Sequence, residues 1–273
     1  MNKKILTIQD ISCYGSCSIT VALPILSSRG VETVILPSAI LSTHTAGFKN
    51  MVIHDLTDEM PKIINHWISE NIKFDAIYTG YIGDIRQFEY ILKCKEFLLK
   101  EDGLFIVDPA MADHGKMYPA LVSETVEYMK QICSVADYII PNITEAAFLT
   151  DNEYNDNHSN DYINKLLDDL SSLGAKNVIL SGICVDNYIG AAINNGNEKH
   201  MILKEKVNKF YHGTGDIFSS IIVANILNGH DLSYCVKDAC EFVINSIKET
   251  LDDPEHEYAV KFENVLEKER KWN

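Results

Sequence analysis

The chain has few basic residues for its size. Its 273 residues carry 24 Lys and Arg against 39 Asp and Glu, which gives a formal net charge of −15. No stretch reaches the roughly 18 apolar residues that a membrane span requires. The charge disfavours nucleic acid or an anionic membrane as the main partner, because both need a basic surface. Any phosphate site must therefore be built locally, from backbone N–H groups and a metal ion.

Paired cysteine motifs are also missing. The seven cysteines are odd in number and form no C-x-x-C pair, so neither a disulfide framework nor a zinc site is indicated. The N-terminal residues lead into only a short apolar run, unlike a signal sequence. We expect reduced thiols and a cytoplasmic protein.

Short apolar segments alternate with amphipathic helices along the first two thirds of the chain. The predicted strands show no polar–apolar alternation and cover residues 5–8, 31–36 (before Pro37), 76–78, 104–107, 138–140 and 177–180. The predicted helices between them cover 19–28, 60–71, 85–100, 123–134 and 161–173. Strands that are apolar on both faces are typical of a parallel sheet covered by helices on each side. The pattern predicts a doubly wound α/β sandwich.

The pattern changes after residue 181. Segments 188–193 and 199–203 flank the turn-forming stretch 194–197, which predicts an antiparallel hairpin at one edge of the sheet. A long helix is predicted after the loop 213–216 and another over 232–251, and the charged tail 255–273 is expected to close as a surface helix. No repeat or break in composition divides the chain, so one domain over 1–273 is expected.

The stretch from His212 to Asp216 is the strongest candidate site. Gly213 and Gly215 lie one residue apart before an apolar segment, which is typical of a tight loop that begins a buried helix. The N–H groups of such a helix start suit an anion, for example a phosphoryl group in transfer. Asp216 has two interpretations: a general base for a substrate hydroxyl, or an ordinary helix cap.

Polar residues follow the other predicted strands as well, at the edge where α/β proteins bind ligands. These segments are 10–15, 42–47, 80–84, 108–113, 141–145 and 181–182. Asp108, Asp113 and Glu145 together would repel an anion unless Mg²⁺ lies between them. The alternative is that each is a separate turn or first-turn helix acid.

These motifs together resemble the ribokinase-like superfamily and, within it, the pyridoxal kinases. The likeness lies in Gly213–Asp216, Asp108–Asp113, Pro141–Ala146, Thr43–Thr45 and Gly80–Gly83, and it spans all but the tail. It implies a three-layer α/β/α sandwich, and a homodimer. It also implies ATP- and Mg²⁺-dependent phosphorylation of the 5′-hydroxymethyl group of pyridoxal, pyridoxine or pyridoxamine.

The resemblance also implies residue roles. Asp216 would be the general base, and the N–H groups of Gly213, Thr214 and Gly215 the anion hole. ATP would be bound by Asp108, Asn142, Glu145, Ser181, Gly213 and Gly215, and the metal would be supported by Asp108, Asp113 and Glu145. The substrate-binding residues would be Asp10, His44, Thr45 and Tyr81, with Ile40 or Leu41 as an apolar wall.

The chain departs from the family pattern at three positions: Asp10 replaces a usual Ser, Ala112 a usual Gly, and Ile140 a frequent Thr. We expect Asp10 to favour a protonated ring nitrogen or the amine of pyridoxamine over the aldehyde of pyridoxal.

Two other functions stay open, a hydroxymethylpyrimidine kinase and a non-catalytic vitamer-binding protein. The intact Asp216 with both glycines argues against the latter. Segments 112–118 and 152–160 are candidate mobile covers.

Overall fold

The protein is described here by a computed structural model that covers residues 2–45, 47–251, 253, 256 and 258–272. A mixed sheet forms its centre. The strands are β1 (Lys4–Ser12), β2 (Glu32–Leu41), β3 (Ile53–Asp55), β4 (Phe74–Thr79), β5 (Leu99–Val107), β6 (Ala112–Asp113), β7 (Lys116–Met117), β8 (Tyr138–Ile139), β9 (Asn177–Val185), β10 (Tyr188–Asn194) and β11 (Lys199–Glu205). The helices are α1 (Ile19–Ser28), α2 (Met60–Ser69), α3 (Arg86–Leu98), α4 (Thr125–Ser134), α5 (Ile143–Leu149), α6 (Asn160–Ser172), α7 (Thr214–Leu227), α8 (Leu232–Thr250) and α9 (Phe262–Trp272).

The central sheet has the strand order β11-β10-β9-β8-β5-β4-β1-β2-β3. The six strands from β9 to β2 in that order pair in parallel. The β10–β11 hairpin is antiparallel at one edge, as the sequence predicts, and β3 is antiparallel at the other. The six parallel strands therefore end on one side of the sheet, where their loops meet.

Helices cover both faces of the sheet, and each face has its own apolar core. Residues of α2 to α6 pack on one face, and residues of α1, α7, α8 and α9 on the other. The predicted three-layer α/β/α sandwich with a mostly parallel sheet is thus confirmed. Among the described residues, every helix is too short or too polar to cross a membrane.

Helix α7 is the most deeply buried helix of the second layer. Every residue from Ile217 to Leu227 is buried. A helix that is apolar on all sides belongs in the interior, because it has no face suited to water. Its first turn, with Asp216, is consequently held in a fixed place at the carboxyl edge of the sheet.

Several predicted boundaries were wrong. Strand β1 extends to Ser12, so Asp10 lies in the strand and not in a loop. Strand β2 continues through Pro37 to Leu41. Proline is tolerated there because the register with β1 shifts after Gln9, and β3 pairs with β2 only from Ala39 onward.

The tail differs from the prediction too. Glu255 and Asn273 lie outside the described residues, and helix α9 starts at Phe262. Phe262 and Val265 are buried in the second core together with Val260, so the tail does more than cover the surface.

Candidate active site

The loop before α7 is shaped around Gly213. Gly213 is the N-cap residue of α7 and has φ +80°, a conformation that favours glycine. A Cβ atom at this position would lie 2.6 Å from the carbonyl oxygen of Ser16 and 3.3 Å from the Cys17 sulfur. The loop thus packs directly against the loop after β1.

Gly215 differs from Gly213 in its surroundings. It is exposed, and a Cβ atom there would meet nothing within 4 Å. Thr214 lies between the two glycines, and its hydroxyl donates to the carbonyl oxygen of Tyr211 at 3.3 Å. N–H groups in the first turn of a helix have no acceptor within the helix. The first turn of α7 therefore offers donors beside open space, as an anion site requires.

Asp216 is held by the loop after β1. Its Oδ2 accepts a hydrogen bond from the backbone N–H of Ser18 at 3.0 Å, and the Cys17 thiol also hydrogen-bonds to it. Burial and the nearby Asp10 carboxylate raise the pKa of Asp216 to about 6. A carboxyl group with this pKa is ionised at neutral pH and still has a useful affinity for a proton.

Asp10 is a second carboxylate in the same place. It is only 3% exposed near the end of β1, and its Oδ2 accepts from the Ser12 hydroxyl at 2.9 Å. Burial raises its pKa, while hydrogen bonds from Ser18 and Ser12 oppose that shift. Asp10 also helps to raise the pKa of Tyr81 to about 12, so the structure brings Asp10 close to both Asp216 and Tyr81.

Asp108 directly follows β5 and lies 8% exposed. Burial raises its pKa, with a further contribution from Asp216, and a hydrogen bond with Ser219 opposes the shift. Ser219 lies one turn after Asp216 in α7. The carboxylates of Asp108 and Asp216 are therefore close enough to interact electrostatically.

Glu145 and Asn142 begin helix α5 as a capping box. The Asn142 side chain accepts from the N–H of Glu145 at 2.9 Å, and Glu145 Oε2 accepts from the N–H of Asn142 at 2.8 Å. Glu145 Oε1 accepts from the N–H of Met111 at 3.2 Å. Both carboxylate oxygens of Glu145 thus hold backbone donors, in agreement with the alternative of a first-turn helix acid.

The three predicted metal-supporting carboxylates lie in one neighbourhood, because Asp108 and Asp113 both help to raise the pKa of Glu145. Asp113 lies in the β6–β7 hairpin, where its Oδ1 accepts from the N–H of His114. Within the described part of the chain, no three His, Cys, Asp or Glu side chains are arranged to hold a metal ion. The role of Asp108, Asp113 and Glu145 toward a metal ion stays a prediction, and Glu145 already accepts from two backbone N–H groups.

Asn142 follows β8 and forms an isolated parallel bridge with Ser181. Ser181 lies within β9 and not after it, because this strand continues beyond the predicted end at residue 180 to Val185. The Asn142 amide donates to the carbonyl oxygen of Ala112 at 2.9 Å. The Ser181 hydroxyl donates to the carbonyl oxygen of Pro141 at 3.3 Å. Both side chains already have partners in the protein, so each also shapes the edge of the sheet.

The predicted substrate-binding residues near β2 have different surroundings. Leu41 is 2% exposed, whereas Ile40 is 38% exposed and Thr45 is exposed. His44 is buried, and its Nε2 lies 2.9 Å from the carbonyl oxygen of Tyr258 in the tail. Burial lowers the pKa of His44, which favours the neutral ring. His44 thus joins the loop after β2 to the tail.

A series of ring contacts crosses the site, which sequence reasoning did not find. It connects the loops after β1 and β2, the tail, the loop before α7 and the β6–β7 hairpin, through Tyr14, His44, Phe48, Tyr258, His212, Phe210 and His114. Phe48 and Tyr258 have ring centroids 4.1 Å apart. Segments distant in sequence therefore meet over one edge of the sheet.

The two candidate covers touch one another. A Cβ atom on Gly115, in the turn of the β6–β7 hairpin, would lie 2.7 Å from the ring of Tyr154 in segment 152–160. The Gly115 N–H also donates to the Thr144 hydroxyl at 3.0 Å. Their mobility stays a prediction.

This arrangement defines the class of protein. A partly buried acid with a raised pKa lies at the N-terminus of a helix that can bind an anion, at the ligand-binding edge of an α/β sheet. Such a site suits transfer of a phosphoryl group to an alcohol. The arrangement is therefore the active site of an α/β kinase.

The chain belongs to the phosphomethylpyrimidine kinase family, whose model matches residues 23–260. A protein named pyridoxal kinase from Dictyostelium discoideum is 28% identical over 270 residues, which cover 92% of this chain and 87% of that protein. A hydroxymethylpyrimidine/phosphomethylpyrimidine kinase from Haemophilus influenzae is 27% identical over 265 residues, covering 92% and 93%. The predicted resemblance to pyridoxal kinases is confirmed by these relatives.

Solved structures agree with this assignment. A Bacteroides thetaiotaomicron protein assigned as a phosphomethylpyrimidine kinase, crystallised with pyridoxal, has 34% identity and a TM-score of 0.93. The likeness covers 98% of this chain and 96% of that one. The fold is therefore shared over essentially the whole length.

Proposed function

We propose that this protein transfers the γ-phosphoryl group of ATP to the 5′-hydroxymethyl group of a B6 vitamer, either pyridoxal, pyridoxine or pyridoxamine. One observation carries the proposal: the pKa of Asp216 is raised to about 6, in the first turn of α7 beside Gly213 and Gly215. Support comes from the relative named pyridoxal kinase and from the similar structure crystallised with pyridoxal.

In the proposed step, Asp216 accepts the proton of the substrate hydroxyl. The hydroxyl oxygen then forms a bond to the γ-phosphorus, and the bond from that phosphorus to the β,γ-bridging oxygen breaks, which releases ADP. The N–H groups of Gly213, Thr214 and Gly215 would stabilise the charge on the group in transfer. The open space at Gly215 fits this role, since a side chain there would occupy it.

The donor set fits a Mg²⁺ ion that is held mainly by nucleotide phosphates and water. Mg²⁺ commonly uses only one or two protein carboxylates, and Asp108 and Asp113 are the carboxylates that would support it. Glu145 would act indirectly, by fixing the backbone of Asn142 and Met111. When bound, the ion would neutralise charge on the phosphates. The raised pKa of Asp108 fits a nearby cation, which would favour its ionised form.

On the vitamer side, we propose that Tyr81 and Asp10 face the ring, with Thr45 and His44 at its edge and Leu41 or Ile40 as the apolar wall. Asp10 and Tyr81 interact electrostatically, which supports their placement on one side of the site. Asn142 and Ser181 would lie along ATP together with Asp108, Gly213 and Gly215.

The alternative substrate is hydroxymethylpyrimidine, another small flat heteroaromatic alcohol. The matching family and the Haemophilus influenzae relative favour it. ATP consumption by the purified protein with pyridoxal, pyridoxine, pyridoxamine and hydroxymethylpyrimidine, each alone, separates the two. The proposal expects the highest kcat/KM with one of the vitamers. A higher value with hydroxymethylpyrimidine would favour the alternative, and no turnover with any of the four would favour a vitamer-binding protein.

We further propose that residues 1–273 form one kinase domain, that it assembles as a homodimer, and that it acts in the cytoplasm. All seven cysteine thiols are free, which suits a reducing compartment. Light scattering of the purified protein tests the homodimer.

A further inference from the structure

Ser18 contacts both carboxylates at the candidate site. Its backbone N–H donates to Asp216 Oδ2 at 3.0 Å, and its side chain lies near enough to the Asp10 carboxylate to lower the pKa of that group. Ser18 itself is 6% exposed. One residue thus connects the proposed base at the start of α7 to a second acid at the end of β1.

The backbone of Ser18 is strained. Its φ of +54° and ψ of −127° lie in a region that residues with a side chain rarely adopt. The surrounding structure keeps it there, because the N–H groups of Val21 and Ala22 donate to its carbonyl oxygen at 3.0 and 2.9 Å and so start α1. Strain of this kind persists when several contacts require the same conformation.

The carboxylate of Asp216 depends on these contacts. The ionisable groups that interact with it are Asp10, Asp108, Cys17, Tyr78 and Tyr118, on the elements that surround it. None of these five is a cation. Its orientation therefore depends on hydrogen-bond donors, and Ser18 N–H is the backbone donor among them.

We propose that Ser18 is a positioning residue: its strained backbone, fixed by the start of α1, orients the Asp216 carboxylate through the N–H, while its side chain acts on Asp10. The proposal rests on the function proposed above, in which Asp216 is the base. Ser18 acts through Asp216 and Asp10 and needs no contact with substrate.

The Ser18→Ala variant tests this role, because it keeps the N–H and removes the hydroxyl that acts on Asp10. We expect kcat to fall about tenfold while the KM for the vitamer changes little, since loss of orientation affects the transition state more than binding. Asp10 loses a donor that lowers its pKa, so it is protonated more readily. Less negative charge then faces Asp216, and the acidic limb of the kcat–pH profile should move to lower pH.

Three further variants separate positioning from folding. Ser18→Gly relieves the strained φ, so its Tm should not fall, yet its acidic limb should shift as in Ser18→Ala. Ser16→Gly is the matched control: Ser16 also has a positive φ, +47°, and its side chain makes no described bond to either carboxylate. Its pH profile should match the parent's. In an Asp10→Asn background, Ser18→Ala should move the acidic limb no further.

The proposal is overturned if both Ser18 variants fold and show the parent's kcat and pH profile. A parallel Asp216→Asn variant distinguishes the two levels of the argument. If it keeps the parent rate, the proposed base is wrong. If it is inactive while the Ser18 variants behave as the parent, only the role of Ser18 is wrong.

Discussion

Gly213 and Ser16 approach each other so closely that no side chain fits between them. A Cβ atom on Gly213 would lie 2.6 Å from the Ser16 carbonyl oxygen, and Gly213 already has φ +80°. The loop after β1 and the start of α7 are therefore fitted to one another through backbone atoms. Gly215, two residues later, has no such neighbour.

The two glycines predict different outcomes on substitution by alanine. Gly213→Ala should lose both stability and activity, because the left-handed backbone and the clash with Ser16 each oppose a side chain. Gly215→Ala should keep the parent's Tm within about 2 °C, as a small change in stability allows, and lose activity, because its methyl group enters the proposed anion site. Thermal melts and steady-state kinetics on both variants check this. Equal activity of Gly215→Ala and the parent would argue against an anion site there.

The ionised carboxylate of Asp216 should lower the free energy of unfolding at neutral pH. Its pKa is raised to about 6 in the folded protein, so the folded state binds a proton more tightly than the unfolded chain does. The ionised form is therefore unfavourable for folding above pH 6, and this cost vanishes as the pH falls toward 4. Because Asp216 keeps some contact with solvent, we expect Asp216→Asn to stabilise the protein by about 2 kcal/mol at pH 8.

Denaturant melts at pH 8 and pH 5 measure this effect. The gain should be clearly smaller at pH 5, and Asn can still accept the hydrogen bond from Ser18. A variant that is less stable than the parent at pH 8 would contradict the assigned burial of this charge.

Arg29 should stabilise the helical layer that holds α7. At the end of α1 it donates to Asp238 in α8 at 2.8 Å and to Glu269 in α9 at 3.0 Å. Its side chain is only 15% exposed. Arg29→Ala should cost about 2 kcal/mol or more, because it leaves two partly buried carboxylates without their partner.

The matched control is Lys62→Ala. Lys62 forms a 2.8 Å pair with Glu59, but both side chains are more than half exposed, and such pairs contribute little. Chemical denaturation of both variants should show a clear loss for Arg29→Ala and none for Lys62→Ala. Similar losses in the two would mean that the Arg29 network has no special role.

Asp10 should influence the choice among vitamers. A buried carboxylate on the vitamer side favours a protonated ring nitrogen or an amine over an aldehyde. Asp10→Ser should therefore lower kcat/KM for pyridoxamine relative to pyridoxal, compared with the parent. Competition assays with the three vitamers provide the measurement, and an unchanged ranking would refute this role.

The general architecture could be predicted from the sequence because its signals are local. Unbroken apolar strands and amphipathic helices indicate the parallel sheet, and helix α1 was predicted with its observed bounds. The hairpin turn at 194–197 likewise revealed the antiparallel edge formed by β10 and β11. The strand through Pro37 was missed, since proline is tolerated there because of how β2 pairs with β1 and β3, which no local signal shows.

The site was only partly predictable. The glycines at 213 and 215 with Asp216 indicate the candidate anion loop, but the contact of Gly213 with Ser16 depends on tertiary packing. The spacing of Asn142 and Glu145 is that of a capping box and could have shown that Glu145 binds backbone N–H groups. The contact between Ser18 and Asp216 had no sequence signal, because it joins residues 198 positions apart.

The most direct test of the account is the activity of Asp216→Asn, measured with nucleotide binding and the parent's pH profile. We predict a fall in kcat of about 10²- to 10⁴-fold, as expected for loss of a general base, with ATP affinity nearly unchanged. The parent's activity should fall as the pH drops through about 6, where Asp216 takes up its proton. An Asp216→Asn protein that phosphorylates its substrate at the parent rate would contradict the account.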